Sequence, residues 1–151
     1  MRIIDGKEYI PQVKDLISAY MHQLNRDLSF QNIDEELKDP SAKYTAPQGE
    51  LLVAIEGDEV LGMVAYHRHS DIRCEMKRLY VKPDARGLRL GDFLVQEIIE
   101  RAKRCGYQEM VLDTLVPMKA AVHLYEKYGF EKCEPYYDNP MPDVIYMIKR
   151  L

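Results

Sequence analysis

The run from Cys74 to Thr114 constrains the fold more than any other part of the chain. Cys74 to Lys82 reads as a strand and Pro83-Asp84-Ala85-Arg86-Gly87-Leu88-Arg89-Leu90-Gly91 as a turn. Phe93, Leu94, Ile98, Ala102 and Cys105 then recur at helical spacing, and Gly106 sits where a C-cap glycine belongs. A second strand follows from Gln108 to Thr114. Strand, helix and strand in that order form a crossover, and strands joined this way run parallel.

The flanking segments carry a different signal. Leu51 to Ile55 is a continuous apolar run, Glu56-Gly57-Asp58-Glu59 a tight turn, and Val60 to His67 a second run, which together predict a β-hairpin. Upstream, Arg2 to Asp5 is a short strand. From about Glu8, the positions Ile10, Val13, Leu16, Ile17, Tyr20, Met21 and Leu24 mark a long amphipathic helix. A short helix from Asn32 to Asp39 is stopped by Pro40, and Ser41 to Gly49 reads as loop. Downstream, Pro117 suits the first turn of a helix carrying Ala121, Leu124, Tyr125 and Tyr128, which Gly129 ends. Phe130 to Cys133 and Val144 to Lys149 complete the chain as short strands. The order β, α, α, β, β, β, α, β, α, β, β indicates an α+β fold with parallel and antiparallel pairs in one sheet.

A chain of 151 residues fits a single domain, 1–151, with one sizeable core. The balance of 21 basic against 25 acidic residues gives a net charge of −4, which argues against nucleic acid as the main partner. No apolar run is long enough for a signal peptide or a membrane span, so a cytoplasmic protein with no membrane partner is expected. The three cysteines, Cys74, Cys105 and Cys133, are too widely spaced for a CxxC knuckle and odd in number, and read as free thiols. His67 and His69 lie two apart without a third ligand, so no metal is expected.

The turn at Arg86 to Gly91 has the makings of an anion site. A helix N-terminus offers unpaired N–H groups and the positive end of the dipole, glycine allows close approach, and Arg86 adds a cation. It lacks the Gly-Lys-Ser/Thr end of a nucleotide phosphate loop, and its glycine spacing is not that of a dinucleotide fold. A structural turn is the plain alternative.

The span from Cys74 to Phe130 resembles the GNAT (Gcn5-related N-acetyltransferase) family. Arg86-Gly87-Leu88-Arg89-Leu90-Gly91 corresponds to its (Gln/Arg)-x-x-Gly-x-(Gly/Ala) motif, Leu79-Tyr80-Val81-Lys82-Pro83 to its Leu-Tyr-Val-x-Pro strand end, and Leu124-Tyr125-Glu126-Lys127-Tyr128-Gly129-Phe130 to its Leu-Tyr-x-x-x-Gly-Phe helix end. The three blocks occur in the family's order and spacing. The resemblance implies a single GNAT-like domain: a central mixed, mostly antiparallel sheet flanked by helices, with a splayed parallel strand pair holding acyl-CoA. It implies acetyl-CoA as cosubstrate and transfer of its acetyl group directly to a primary amine, on a small or amino-acid-like acceptor sooner than on a protein.

By the same resemblance, Arg86, Gly87, Leu88, Arg89, Leu90 and Gly91 cradle the pyrophosphate of coenzyme A. Leu79, Tyr80 and Val81 form the strand end along its pantetheine arm, Leu79 and Val81 through their backbones. Two positions depart from the family: Arg89 stands where a glycine is usual, with its side chain expected to point outward, and Met118 where many members carry an asparagine that contacts the coenzyme. Tyr125 matches the family's proton donor to the leaving thiolate. Glu75 is the candidate base, working through water; it lies four residues before Leu79, so period-two alternation predicts both on one sheet face. Lys77 or Arg78 could meet an acidic group on the acceptor, although exposed strand charges are the plainer expectation. Asp27 to Gln31 and Tyr136 to Pro140 are the candidate acceptor walls, and a homodimer is open. A non-catalytic acyl-CoA-binding module and, with poor motif support, a nucleotide-binding domain are the competing readings.

Overall fold

The computed structural model describes residues 1–25, 33–45 and 48–151. Seven strands form one sheet in the order β1-β2-β3-β4-β5-β7-β6. They are β1 (Arg2–Asp5), β2 (Glu50–Glu56), β3 (Glu59–Arg68), β4 (Arg73–Val81), β5 (Glu109–Leu115), β6 (Glu131–Lys132) and β7 (Val144–Arg150). Every neighbouring pair is antiparallel except β4 and β5, the crossover pair. The predicted α+β sheet of mixed, mostly antiparallel strands is therefore what forms.

The continuous apolar runs are buried on both faces, as a central strand requires. Leu52, Ala54, Val64, Tyr66, Cys74 and Met76 pack under α4 (Leu90–Arg104), whose Leu94, Val95, Ile98 and Ala102 face the sheet. On the opposite face Leu51, Val53, Ile55, Met63 and Ala65 pack against Val13, Leu16 and Ile17 of α1 (Ile10–Leu24) and Ile33 of α2 (Ile33–Lys38). Burying a side chain of this size contributes about 1.5–3 kcal/mol, so either face alone amounts to a substantial core.

Some local expectations fail for identifiable reasons. Pro40 ends α2 but also begins α3 (Pro40–Lys43) inside the segment expected as loop. Asp39 caps it, its Oδ1 accepting from Ser41 N at 3.1 Å, and proline suits a first helical position because its missing donor is not needed there. Phe93, on the helical apolar pattern, is 42% exposed rather than core. Pro117 precedes its helix, α5 (Lys119–Lys127), for which Met118 is the N-cap residue. The strand expected from Phe130 to Cys133 shrinks to the two residues of β6.

The largest departure is in β4. Met63 pairs with Tyr80 but Ala65 with Lys77, so two steps along β3 match three along β4. The extra residue is a bulge, and Arg78 within it has φ of +62°. A non-glycine residue in this region costs about 1–3 kcal/mol and persists only when its surroundings hold it. Here they do: the buried Arg78 guanidinium grips Glu36 of α2 through Nε (2.8 Å) and Nη2 (3.1 Å). Tyr44 donates to the same carboxylate at 2.9 Å.

Candidate active site

β4 and β5 pair only at Arg73, Cys74 and Glu75 against Glu109, Met110 and Val111. Beyond that point the ladder stops and the strands part. A cleft of about 550 Å³ runs from this opening to the start of α4, lined among others by Leu79, Val81, Gly87, Gly91 and Met118.

At its outer end, the first helical bond of α4 is Phe93 N to Arg89 O (3.2 Å), which leaves the amides of Leu90, Gly91 and Asp92 without helical acceptors. Gly87 has φ of +92°, and a Cβ there would meet nothing within 4 Å, so the backbone is both turned and open. Arg89 adopts φ of +60°, a conformation that explains why glycine suits this position. Its side chain is 66% exposed, 3.8 Å from Asp92, and points outward as expected. Lys127 (2.5 Å) and Tyr128 (2.7 Å) also engage Asp92, so its charge is countered and the helix end keeps its pull on anions. Arg86 turns back, donating to Val81 O (3.3 Å) and Gln23 Oε1 (3.1 Å) and lying over the Tyr80 ring. Leu90 lines the cleft at the buried foot of α4, whereas the Leu88 side chain is 61% exposed and stands outside it.

At its inner end the cleft meets a cavity of about 50 Å³ between the parted strands, walled by Lys77, Leu79, Asp113, Met118 and Tyr125 among others. Tyr125 is buried and packs edge-on against Phe130 at 5.9 Å between centroids. Its hydroxyl has no hydrogen-bond partner among the described residues, while every fully buried side-chain N or O there has one, so this hydroxyl opens onto the cavity. Burial first, then the charge environment of Tyr20 and Asp113, pushes the phenol above its ordinary value of 10.0 and keeps it protonated.

The bulge decides where the charged residues of β4 point. Cys74, Met76, Leu79 and Val81 share the α4 face. Glu75 lies instead on the face of α1 and α2, so the expectation that it shares a face with Leu79 is wrong: the added residue at Arg78 reverses the alternation between them. The Glu75 carboxylate accepts from Tyr136 OH (2.5 Å) and bonds His67 Nε2 (2.7 Å). Burial alone would raise its pKa, but the bond to His67, the charge of Lys77 and the Tyr136 hydroxyl outweigh that and hold it at about 2. Lys77 and Arg78 are not exposed strand charges; they are 8% and 3% exposed on this same face.

The segment Tyr136 to Pro140, expected as an acceptor wall, folds over Glu75 and Asp113. Tyr137 OH and Asn139 Nδ2 (2.8 Å) both bond Asp113 Oδ2, and Tyr146 packs edge to face against both Tyr136 and Tyr137, whose own rings are tilted to each other. The other expected wall, Asp27 to Gln31, lies outside the described residues. Sequence reasoning missed Asp113, Tyr20 and Glu36. Tyr20 looked like one more apolar position of α1, yet it borders the cleft and the cavity and lies 5.8 Å under the Arg78 guanidinium. An isolated aspartate at a strand end carries no signal in sequence.

A parallel pair that opens over a glycine turn, with a tyrosine hydroxyl where the strands part, defines an acyl-CoA-dependent acyltransferase. The chain belongs to the acetyltransferase (GNAT) family, whose model matches residues 13–130. It is 50% identical over 136 residues to an uncharacterized N-acetyltransferase of Schizosaccharomyces pombe, covering 89% of this chain and 83% of the relative. An acetyltransferase structure from Streptococcus agalactiae superposes with a TM-score of 0.82 at 24% identity, covering 99% and 98% of the two chains. A GNAT acetyltransferase from Elizabethkingia anophelis with acetyl-CoA bound has a TM-score of 0.64 at 25% identity, covering 85% and 87%. The protein is an N-acetyltransferase that uses acetyl-CoA. At one end of the cleft lie free amides and an open glycine turn, groups that favour an anion, and at the other the unpaired edges of β4 and β5. No helix among the described residues is long and apolar enough to cross a membrane.

Proposed function

We propose that this chain transfers the acetyl group directly to the primary amine of a small, amino-acid-like acceptor, with Tyr125 as the proton donor. The supporting observation is the cavity between β4 and β5, where Tyr125 meets the polar face beyond the sheet. Acetyl-CoA supplies the activated thioester. In this reading Arg86, Gly87, Arg89, Leu90 and Gly91, with the Leu88 amide, hold the phosphates, and the strand end Leu79-Tyr80-Val81 lines the arm. Tyr125 is neutral and faces the cavity, so it can give its proton to the departing sulfur.

Glu75 is held as a carboxylate, too weak a base at its depressed pKa to strip an ammonium outright. Its role in this proposal is to draw the amine's proton away through water on the acceptor side. Size favours a small acceptor: the cavity is about 50 Å³, and the tyrosine wall tied to Glu75 and Asp113 narrows the approach. The test is release of free coenzyme A from acetyl-CoA with a panel of small amines and amino-terminal peptides, with products identified by mass. Stoichiometric thiol and N-acetyl product from a small amine supports the proposal. Acetyl-CoA binding with no thiol release from any amine, or release with peptides alone, refutes it.

A further inference from the structure

The acceptor face carries an unusual charge arrangement. Lys43, Lys77 and Arg78 supply cations, and Glu36, Glu75 and Asp113 supply carboxylates. Glu36 is engaged by Arg78 twice, by Tyr44, and by Lys43 at 3.9 Å. Glu75 is engaged by His67 and Tyr136. Asp113 Oδ2 is engaged by Tyr137 and Asn139. Lys77 is left over. It is 8% exposed, lines the cavity that Tyr125 and Asp113 share, and has neither a hydrogen bond nor an ion pair among the described residues.

The carboxylate that feels its charge, Glu75, is bonded to His67 and Tyr136 and gives Lys77 no direct contact, and a buried ammonium without a hydrogen-bonded anion is costly, so a neutral residue would make a more stable apo protein. The cation gains a direct contact when a ligand brings a carboxylate to it. Asp113 complements it across the same cavity: its Oδ1 accepts no hydrogen bond among the described residues and is free to meet an ammonium. One wall therefore suits a carboxylate and the other an amine.

We propose that Lys77 is a specificity residue that binds the carboxylate of the acceptor, so that the acceptor is an amino-carboxylate, an amino acid in the simplest case. This rests on the small-amine acetylation proposed above. The reaction itself is unchanged: the C–N bond forms as the C–S bond breaks, the amine's proton leaves through water near Glu75, and the thiolate takes the Tyr125 proton.

The experiment measures thiol release with the common α-amino acids, each beside its own α-carboxamide. The carboxamide's amine is less basic, so more of it is unprotonated at neutral pH and intrinsic chemistry favours it. A preference for the carboxylate must then come from binding. The expected result is at least one amino acid used about tenfold or more better than its carboxamide in kcat/KM, the size expected for a desolvated charge contact. Lys77→Met should raise KM for that amino acid about tenfold while leaving the carboxamide within about twofold. Lys77→Arg should retain the preference. Acetyl-CoA affinity, measured by calorimetry, should be the same in both variants and shows that each has folded. Wild-type enzyme that uses carboxamides equally or better, or Lys77→Met that slows both members of a pair equally, overturns the inference while leaving small-amine acetylation standing. No turnover of any amine by the wild type overturns both.

Discussion

Replacing Tyr125 by phenylalanine separates chemistry from structure unusually well at this site. The hydroxyl makes no hydrogen bond among the described residues, so its removal orphans no partner and opens no void larger than one oxygen. The ring keeps its edge-on contact with Phe130 at 5.9 Å. Stability should therefore change by less than about 0.5 kcal/mol. General acids contribute about 10²–10⁴-fold, and burial weakens this phenol as an acid, which puts the expected loss in kcat at the low end, about 100-fold. Calorimetry should return an unchanged acetyl-CoA affinity, because the hydroxyl lies at the inner cavity and not along the phosphate turn. An acid acts while protonated, so its rate contribution is lost as pH rises through its pKa. Burial places that point above the ordinary 10.0, and the wild-type rate should show no alkaline loss from this group below pH 10. A wild-type kcat in Tyr125→Phe removes the assignment. So does a loss of kcat matched by an equal loss of acetyl-CoA affinity, which would make Tyr125 a binding residue.

Other perturbations test the surroundings. Arg89→Glu inverts an exposed charge beside the α4 terminus. It should weaken acetyl-CoA about 3- to 10-fold at low salt and much less at molar salt by calorimetry, and equal affinity at every salt concentration would show that Arg89 does not reach the phosphates. Glu36→Ala removes the carboxylate that the buried Arg78 grips through two nitrogens and should cost about 3–5 kcal/mol, a fall of roughly 10 °C in melting temperature. A shift under 2 °C would mean that the bulge holds without the pair. Glu75 falls from an ordinary 4.5 to about 2 on folding, which corresponds to about 3 kcal/mol of stability. The sign is that of a depressed carboxylate: the contribution is complete above pH 4.5 and disappears as pH falls toward 2. Glu75→Gln should accordingly be less stable than wild type at pH 7 in urea melts and converge with it near pH 2; parallel curves across that range would disprove the ionic origin.

Much of the fold was legible because its signals are local. The two apolar runs of the hairpin, the α4 periodicity and the glycine turn each depend on residues near one another, and each formed within a residue or two of expectation. The motif blocks also placed the cleft, since strand end, turn and helix start are contiguous from Leu79 to Gly91. The acceptor side was far less legible. Glu36 meets Arg78 across 42 positions, Tyr136 meets Glu75 across 61, and Asp113 gains significance only when Asn139 and Tyr137 fold over it. None of these pairings leaves a periodic trace.

The bulge at Arg78 shows why one such long-range contact can redirect a whole site. Strict alternation along β4 puts Glu75 and Leu79 on one face; one inserted residue reverses that parity and sends Glu75, Lys77 and Arg78 together toward α1 and α2. What holds the insertion is Glu36, a residue of the short helix α2 that forms no part of the coenzyme cleft. The strained backbone, the buried ion pair and the separation of β4 from β5 are thus one arrangement. The strain at Arg78 falls within the part of β4 that has left β5, and the side chain of that residue is anchored by Glu36 of α2. The coenzyme cleft is built from contiguous motifs, whereas the opposite face takes its shape from how α2 and the tyrosine loop close over three charged side chains of one bulged strand.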